Sequence, residues 1–205
     1  MIAKGDPRVR VFLTQIRHQP FSLSLGLHHA RAPLVARMDA DDISLPDRFE
    51  RQVNYMNAHP EVAVLGTQYD VINANGDVLQ RVTLPLDDAL IRSTLRRTNP
   101  FCHPSVIYRK TTIEQVGGYL GGLHAEDFDL WMRVSELPDV MLANLPDVCL
   151  RYRQFGASGA RRSRLAYATV AASQWAAFVR GRGVFWLFAS LYSTVKGWIR
   201  SSRII

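Results

Sequence analysis

Polar and apolar residues alternate from Arg8 to Leu13, the period-two pattern of a short strand. Leucines at 23, 25 and 27 follow in the run from Gln19 to Ala32, and a helix is expected from about Ser22 to Ala30, ended by Pro33. Leu34-Val-Ala-Arg-Met38 is an apolar run of the length of a buried strand. Beyond it, Phe49, Val53 and Met56 recur at helical spacing on one face. Ser44-x-x-Asp47 is placed as the capping box of that helix, with Pro46 in its first turn. Pro60 closes the helix, and Val62 to Leu65 form the next strand. Asn75-Gly76, between Tyr69–Ile72 and Val78–Val82, is a hairpin signal.

The second half continues the alternation. Asp87 or Asp88 is positioned to cap a short helix running through Leu95, and the stretch from Asn99 to Tyr108 leads irregularly into a strand. Thr111-x-x-Glu114 is a second capping box, and its helix should stop at Gly117-Gly118. Leu130, Val134 and Leu137 line one helical face, which puts Glu126 and Asp127 at that helix's N-terminus. Two uncharged runs, Leu165–Val179 and Val184–Val195, close the chain on either side of Arg180-Gly-Arg-Gly183.

Composition narrows the class. A chain of 205 residues, 47% of them apolar, suits one domain with a real core and excludes a disordered protein. Residues 1–147 hold 15 basic and 18 acidic side chains, whereas residues 148–205 hold ten basic ones and no acid. A slightly acidic body thus carries a strongly basic tail, the kind of segment that meets phosphate on nucleic acid or on an anionic membrane. Cys102 and Cys149 both sit in apolar runs, which excludes a disulfide scaffold and points to reduced thiols in a cytosolic protein. No Cys/His cluster suggests zinc, and the opening residues carry no signal peptide.

The chemistry concentrates in two acidic clusters. Asp39, Asp41 and Asp42 fall within four residues directly after a strand, where they repel one another unless a cation or several donors lie between them. Hard divalent cations take such oxygen ligands, and open α/β sheets bind ligands at the C-terminal ends of strands. A solvated loop capping the next helix is the competing interpretation. Glu126 and Asp127 allow a similar pair: acids complementing a helix dipole, or a general base at the mouth of a site. His103, followed directly by Pro104, is either a held ligand and donor or a structural residue.

Taken together, these stretches resemble the second half of a family 2 glycosyltransferase of the GT-A fold. The matching runs are Ala36–Phe49 with Asp39-Ala-Asp-Asp42, His59–Gly66, His103-Pro-Ser105, Val116-Gly-Gly-Tyr119, Ala125–Trp131 and Leu150-Arg-Tyr-Arg153. The resemblance covers roughly residues 6–155 and implies a partial GT-A, α/β fold. It also implies that the family's N-terminal nucleotide-binding part, with its Tyr-Asn strand and Asp-Asp-Gly-Ser stretch, has no counterpart here.

The implied activity is transfer of a sugar from a nucleotide-sugar donor to an acceptor hydroxyl, with inversion, in bacterial surface-polysaccharide or lipid-linked glycan synthesis. By the same resemblance Asp39, Asp41 and Asp42 hold a divalent Mn²⁺ or Mg²⁺. Asp127 is the base, with Glu126 orienting or replacing it, and Arg37, Asp39, His103, Trp131 and Arg153 contact substrate. The His that often follows the last motif is absent from Gln154-Phe155-Gly-Ala-Ser158.

Residues 1–155 are therefore read as the catalytic region and 156–205 as a basic, aromatic, amphipathic helical tail. Neither uncharged run reaches the length of a membrane span, and aromatics beside Arg and Lys suggest helices lying in the interface through 165–199. A terminal helix pair packed on the body is the alternative, and specific nucleic-acid binding is not expected. The expected location is cytoplasmic, peripheral on the inner face of the membrane. A rival reading is a catalytically inactive remnant that serves as a membrane-surface or subunit-interaction module.

Overall fold

The computed structural model describes residues 6–120, 122, 124–155 and 164–201, with side chains described through Ile199. In chain order the elements are α1 (Gln19–His29), β1 (Leu34–Ala36), β2 (Ile43–Ser44), α2 (Arg48–Ala58), β3 (Val62–Ile72) and β4 (Val78–Val82). There follow α3 (Asp88–Leu95), β5 (Ile107–Arg109), α4 (Lys110–Gln115), α5 (Glu126–Val134), β6 (Met141–Arg153), α6 (Arg164–Val179) and α7 (Phe185–Ser201).

The sheet is mixed, in the order β1-β5-β3-β6-β2. Central β3 begins with the Val-Ala-Val-Leu run, as expected of a strand covered on both faces. β6 runs parallel along the whole of β3, while β5 and β4 share the other edge antiparallel, pairing at Val64–Leu65 and Tyr69–Ile72 respectively. One face buries Met56, Val62, Leu65, Ile107, Ala143 and Leu145 under α2. The other carries the larger core, in which Phe101, Phe128, Trp131 and Trp186 pack with residues of α3, α5 and α6.

Several expectations hold. Asn75-Gly76 closes the β3–β4 hairpin, and Asp87 caps α3 by accepting from Leu90 N at 2.9 Å. Gly117 and Gly118 end α4 at φ of 86° and 70°, a conformation that side chains with a Cβ rarely adopt.

Others need correction. Arg8–Leu13 forms no strand, because no ladder reaches it; Leu13 is 91% exposed, and the segment meets α1 at His29, where Phe12 stacks on the ring and Arg10 donates to the carbonyl at 2.5 Å. β1 is a half-buried edge strand bonded to β5 alone. Neither capping box forms. Ser44 lies in β2, and the carboxylate of Asp47 is held by Arg51. At α4 the N-cap is Arg109, whose guanidinium donates to the carbonyls of Met56, His59 and Val62, while Glu114 faces Lys110. Leu137 falls after the end of α5.

The stripe expected on α2 departs at one position. Met56 is buried and Val53 packs half-buried on the core, but Phe49 is exposed, and Arg48 and Gln52 are the other buried residues.

The end of the chain is a helical hairpin. α6 packs on α5 and against α7, with Gly181 and Gly183 in the turn at positive φ. The first tail residues, 156–163, including Ser158, and the last, 202–205, lie outside the described residues.

Candidate active site

The first acidic cluster is a turn clamped by two arginines. Arg37, buried, donates its backbone N–H to Val106 O at 3.0 Å and grips both carboxylate oxygens of Asp39 at 2.5 Å. Arg153, at the end of β6, donates its backbone N–H to Asp42 Oδ1 at 2.7 Å. Its guanidinium donates to the carbonyls of Asp41, Asn73 and Ala74, each at 2.8 Å. Arg153 thus ties the turn to the β3–β4 hairpin through carbonyls.

Asp42 is where charge is left over. Its Oδ2 is buried without a partner. Burial, and after it the neighbouring Asp39 and Asp41, push its carboxyl up to about 6, against the opposing backbone bond from Arg153. Asp41 is exposed. Among the described residues no three His, Cys, Asp or Glu side chains are gathered into a preformed metal cage.

Beneath the turn stands a buried polar pillar that the hydrophobic pattern did not signal. Arg48, fully buried, donates to Arg37 O at 2.8 Å and to Gln52 Oε1 at 3.0 Å. Gln52 in turn donates to Ser105 O at 2.9 Å and to Leu65 O at 3.1 Å. Burial lowers the guanidinium of Arg48 to about 10, so it remains charged at neutral pH. The pillar links the acidic turn to the His103–Ser105 turn, a short 3-10 segment that begins the approach to β5. The available signal was polar residues at i and i+4 below Met56, a spacing equally common on solvated faces.

The second cluster lies at the start of α5. Ala125, just before it, is the one non-glycine residue at positive φ (61°) among the described residues, a strained position that sets the direction of Glu126 and Asp127. Asp127 accepts from Asn99 Nδ2 at 2.5 Å and from the N–H of Phe128 at 2.8 Å. Glu126 is buried, and desolvation followed by the charge of Asp127 raises its carboxyl above the ordinary range.

His103 Nδ1 lies 3.8 Å from Glu126, and Nε2 lies 3.0 Å from the hydroxyl of Tyr119. Burial lowers His103 to about 4, so at neutral pH it is an uncharged hydrogen-bonding group rather than an ion-pair partner. Trp131 is fully buried behind it, edge-on to both His103 and Phe101, as a wall of the site. Asn99 and Tyr119 were not singled out by sequence, since neither carries a distinguishing spacing.

Arg37 joins the two clusters. It grips Asp39 directly, its N–H bond to Val106 O seats it three residues from His103, and its charge also reaches Asp42, Glu126 and His103. Glu126, Asp127, Arg37, His103 and the acidic turn therefore share one region at the ends of β1 and β6, with Trp131 behind it.

The family model for glycosyl transferase family 2 matches residues 1–117. The O-antigen biosynthesis glycosyltransferase WbnJ of Escherichia coli is 33% identical over 196 residues, covering 95% of this chain and 76% of its own. The amylovoran biosynthesis glycosyltransferase AmsE of Erwinia amylovora is 41% identical over 133 residues, 64% of this chain and 49% of its own. The chain thus spans about three quarters of one relative and half of the other.

Among solved structures, the mannosyltransferase PcManGT of Pyrobaculum calidifontis, in complex with GDP-Man and Mn²⁺, superposes with a TM-score of 0.52 at 16% identity. The match covers 94% of this chain and 56% of that one. S. aureus TarS in complex with UDP-GlcNAc superposes at 0.51 and 18% identity, over 73% of this chain and 45% of TarS. At such identities the likeness is one of fold.

Proposed function

The chain belongs to glycosyl transferase family 2 and carries part of the GT-A fold, and from that premise we propose that it transfers a sugar from a nucleotide-sugar donor to an acceptor hydroxyl. The observation that carries this reading is the pairing of two carboxylate clusters across Arg37, one with an uncompensated buried oxygen and one with an oriented Asp. WbnJ and AmsE are named for O-antigen and amylovoran biosynthesis, and by that similarity the acceptor we propose is a hydroxyl of a bacterial cell-surface glycan. Residues 1–155 form the catalytic region, with 156–205 as a helical appendage.

The acidic turn fits a divalent cation. Carboxylate oxygens are the donors Mg²⁺ and Mn²⁺ prefer, and Asp42 Oδ2 is buried with nothing to bond it. Asp39, Asp41 and Asp42 would hold the ion, with Asp39 shared with Arg37. When bound, the ion offsets the negative charge that the donor diphosphate gains on leaving.

The remaining work falls to the chain's own side chains. Asp127, fixed by Asn99 and the Phe128 N–H, takes the proton of the acceptor hydroxyl as its oxygen bonds to the anomeric carbon. The bond from that carbon to the diphosphate breaks on the opposite face, so configuration inverts in a single displacement. Glu126, His103 and Trp131 form the dry wall behind the base, and Arg37 keeps positive charge between donor and acceptor sides.

Thermal melting in the presence of UDP- and GDP-sugars, with and without Mn²⁺, tests the reading. A melting-temperature rise is expected that needs both nucleotide-sugar and Mn²⁺ and vanishes in Asp41→Asn/Asp42→Asn. A flat panel from folded protein would instead favour an inactive interaction module.

A further inference from the structure

The α6–α7 hairpin turns its small residues inward, with Tyr167 and Trp186 among them, and most of its other large apolar residues outward. Along α7 the face against the protein is Trp186, Ala189, Ser190, Ser193 and Gly197. Ser190 donates to Ala171 O at 2.8 Å and Ser193 to Gln174 Oε1 at 2.7 Å. A Cβ at Gly197 would meet the Cβ of Tyr167 at 2.7 Å, so only glycine allows this approach of the two helices. The opposite stripe is Phe188, Leu191, Tyr192, Val195, Trp198 and Ile199, all exposed, with Trp198 at 70%. α6 adds exposed Trp175 and Val179.

A helix meeting water on that side should carry charge there, and monomeric soluble proteins rarely leave so continuous an apolar stripe open. Close packing through small residues with bulky apolar groups turned out is the pattern of helices that face lipid. The hairpin's own charges have one sign. Residues 164–199 carry Arg164, Arg180, Arg182 and Lys196 and no acid, and the ammonium of Lys196 lies over the ring of Tyr192, 5.3 Å from its centroid. Arg180 and Arg182 at the turn are anchored on Glu136 of the body, which fixes the hairpin's attitude. Among the described residues, no helix is long and apolar enough to cross a membrane.

We propose that the outward face of α6–α7 is a docking surface for an anionic lipid membrane, lying in one leaflet with Phe188, Leu191, Val195, Trp198 and Ile199 below the headgroups and the basic side chains among them. Charge complementarity selects lipid over a second copy of this chain, because two tails bearing only positive charge would repel. The contact uses neither acidic cluster and stands apart from the catalytic reading.

Flotation of the full chain with vesicles of phosphatidylglycerol and phosphatidylcholine, against vesicles of phosphatidylcholine alone, tests this. Binding is expected on the anionic vesicles, weaker by about tenfold on the neutral ones and reduced by added salt. Trp emission should shift to the blue and be quenched by bromolipid, because Trp175 and Trp198 are exposed whereas Trp131 and Trp186 are already buried. Phe188→Glu/Val195→Glu should lose at least about tenfold in vesicle binding while melting at the same temperature. Leu79→Glu, on exposed β4, should change nothing.

Three results would overturn the proposal. They are no binding to anionic vesicles, binding that the double variant retains, or a stable dimer in sedimentation whose dissociation by the double variant is the only effect seen.

Discussion

Arg153 and Asp42, 111 positions apart in the chain, meet through a single backbone bond of 2.7 Å, and the other oxygen of that carboxylate is buried with no partner. The bond fixes Asp42 while leaving its charge uncompensated beside Asp39 and Asp41. Asp42→Asn should therefore stabilise the metal-free protein at pH 7 by about 1 kcal/mol, discounted for the group's partial contact with water, or about 2–4 °C in melting temperature. The same variant should lose the stabilisation that Mn²⁺ gives the native chain. Melting curves of both proteins with EDTA and with Mn²⁺ check both halves. A variant destabilised under both conditions would show that Asp42 is held by contacts other than these.

The pillar under the turn makes a second case. Arg48→Met removes the donor to Arg37 O and leaves Gln52 Oε1 unpaired in the core, which should cost about 2–4 kcal/mol. Phe49→Ser, one residue on, should cost less, about 1 kcal/mol, because that ring is exposed and what it loses is its contact with the Arg48 guanidinium, 5.2 Å from its centroid. Denaturant melts of the two variants compare them directly. Equal losses would return the buried face of α2 to the apolar pattern.

This pair also marks how far the sequence could be read. Helical spacing located α2 to within a few residues, since Met56 is fully buried as expected. Val53 packs on the core as well, but the spacing missed at Phe49, because that is the more hydrophobic residue and nothing local shows that Arg48 has carbonyls above it to bond. Those carbonyls belong to Arg37 and Val106, brought there by β1 and the approach to β5. Turn chemistry was legible at Asn75-Gly76, Asp87 and Gly117-Gly118, where the backbone requirement is local. Both proposed capping boxes failed: Arg51, one turn on in the same helix, takes the carboxylate of Asp47, and α4 already starts at Lys110, which puts Thr111 inside the helix and Glu114 against Lys110. The acidic clusters were visible as spacing, but their meeting across Arg37 is a property of the fold.

His103 gives a pH signature. Its folded-state value of about 4 lies below the ordinary 6.5, so the unfolded chain binds the proton first as pH falls. Its contribution is complete above about pH 6.5 and is lost progressively down to about pH 4, for a total of about 3 kcal/mol. Glu126, whose carboxyl is raised, acts in the opposite direction. The comparison is thus between the native chain and His103→Gln, which keeps a polar group near Tyr119 and removes the titration. Over that window the stability of the variant should fall less steeply than that of the native chain. Parallel curves would mean that His103 is charged in the fold.

Asp127 and Glu126 are adjacent, yet their environments assign them different parts. Asp127 is gripped by Asn99 and by the Phe128 N–H, whereas Glu126 is buried against His103 with its carboxyl pushed up. If Asp127 is the base, Asp127→Asn should lower the rate of sugar transfer by about 10²–10⁴-fold while leaving Mn²⁺-dependent donor binding intact. Asn99→Ala, which frees the carboxylate without removing it, should lower the rate by a smaller factor. Glu126→Gln keeps the shape of the buried wall and should leave a larger residual rate than Asp127→Asn. Transfer rates at saturating donor, alongside donor-induced melting shifts, separate chemistry from binding. If Glu126→Gln proves the more damaging, the proton goes to Glu126, and its raised carboxyl is then the feature that suits a base working near neutral pH.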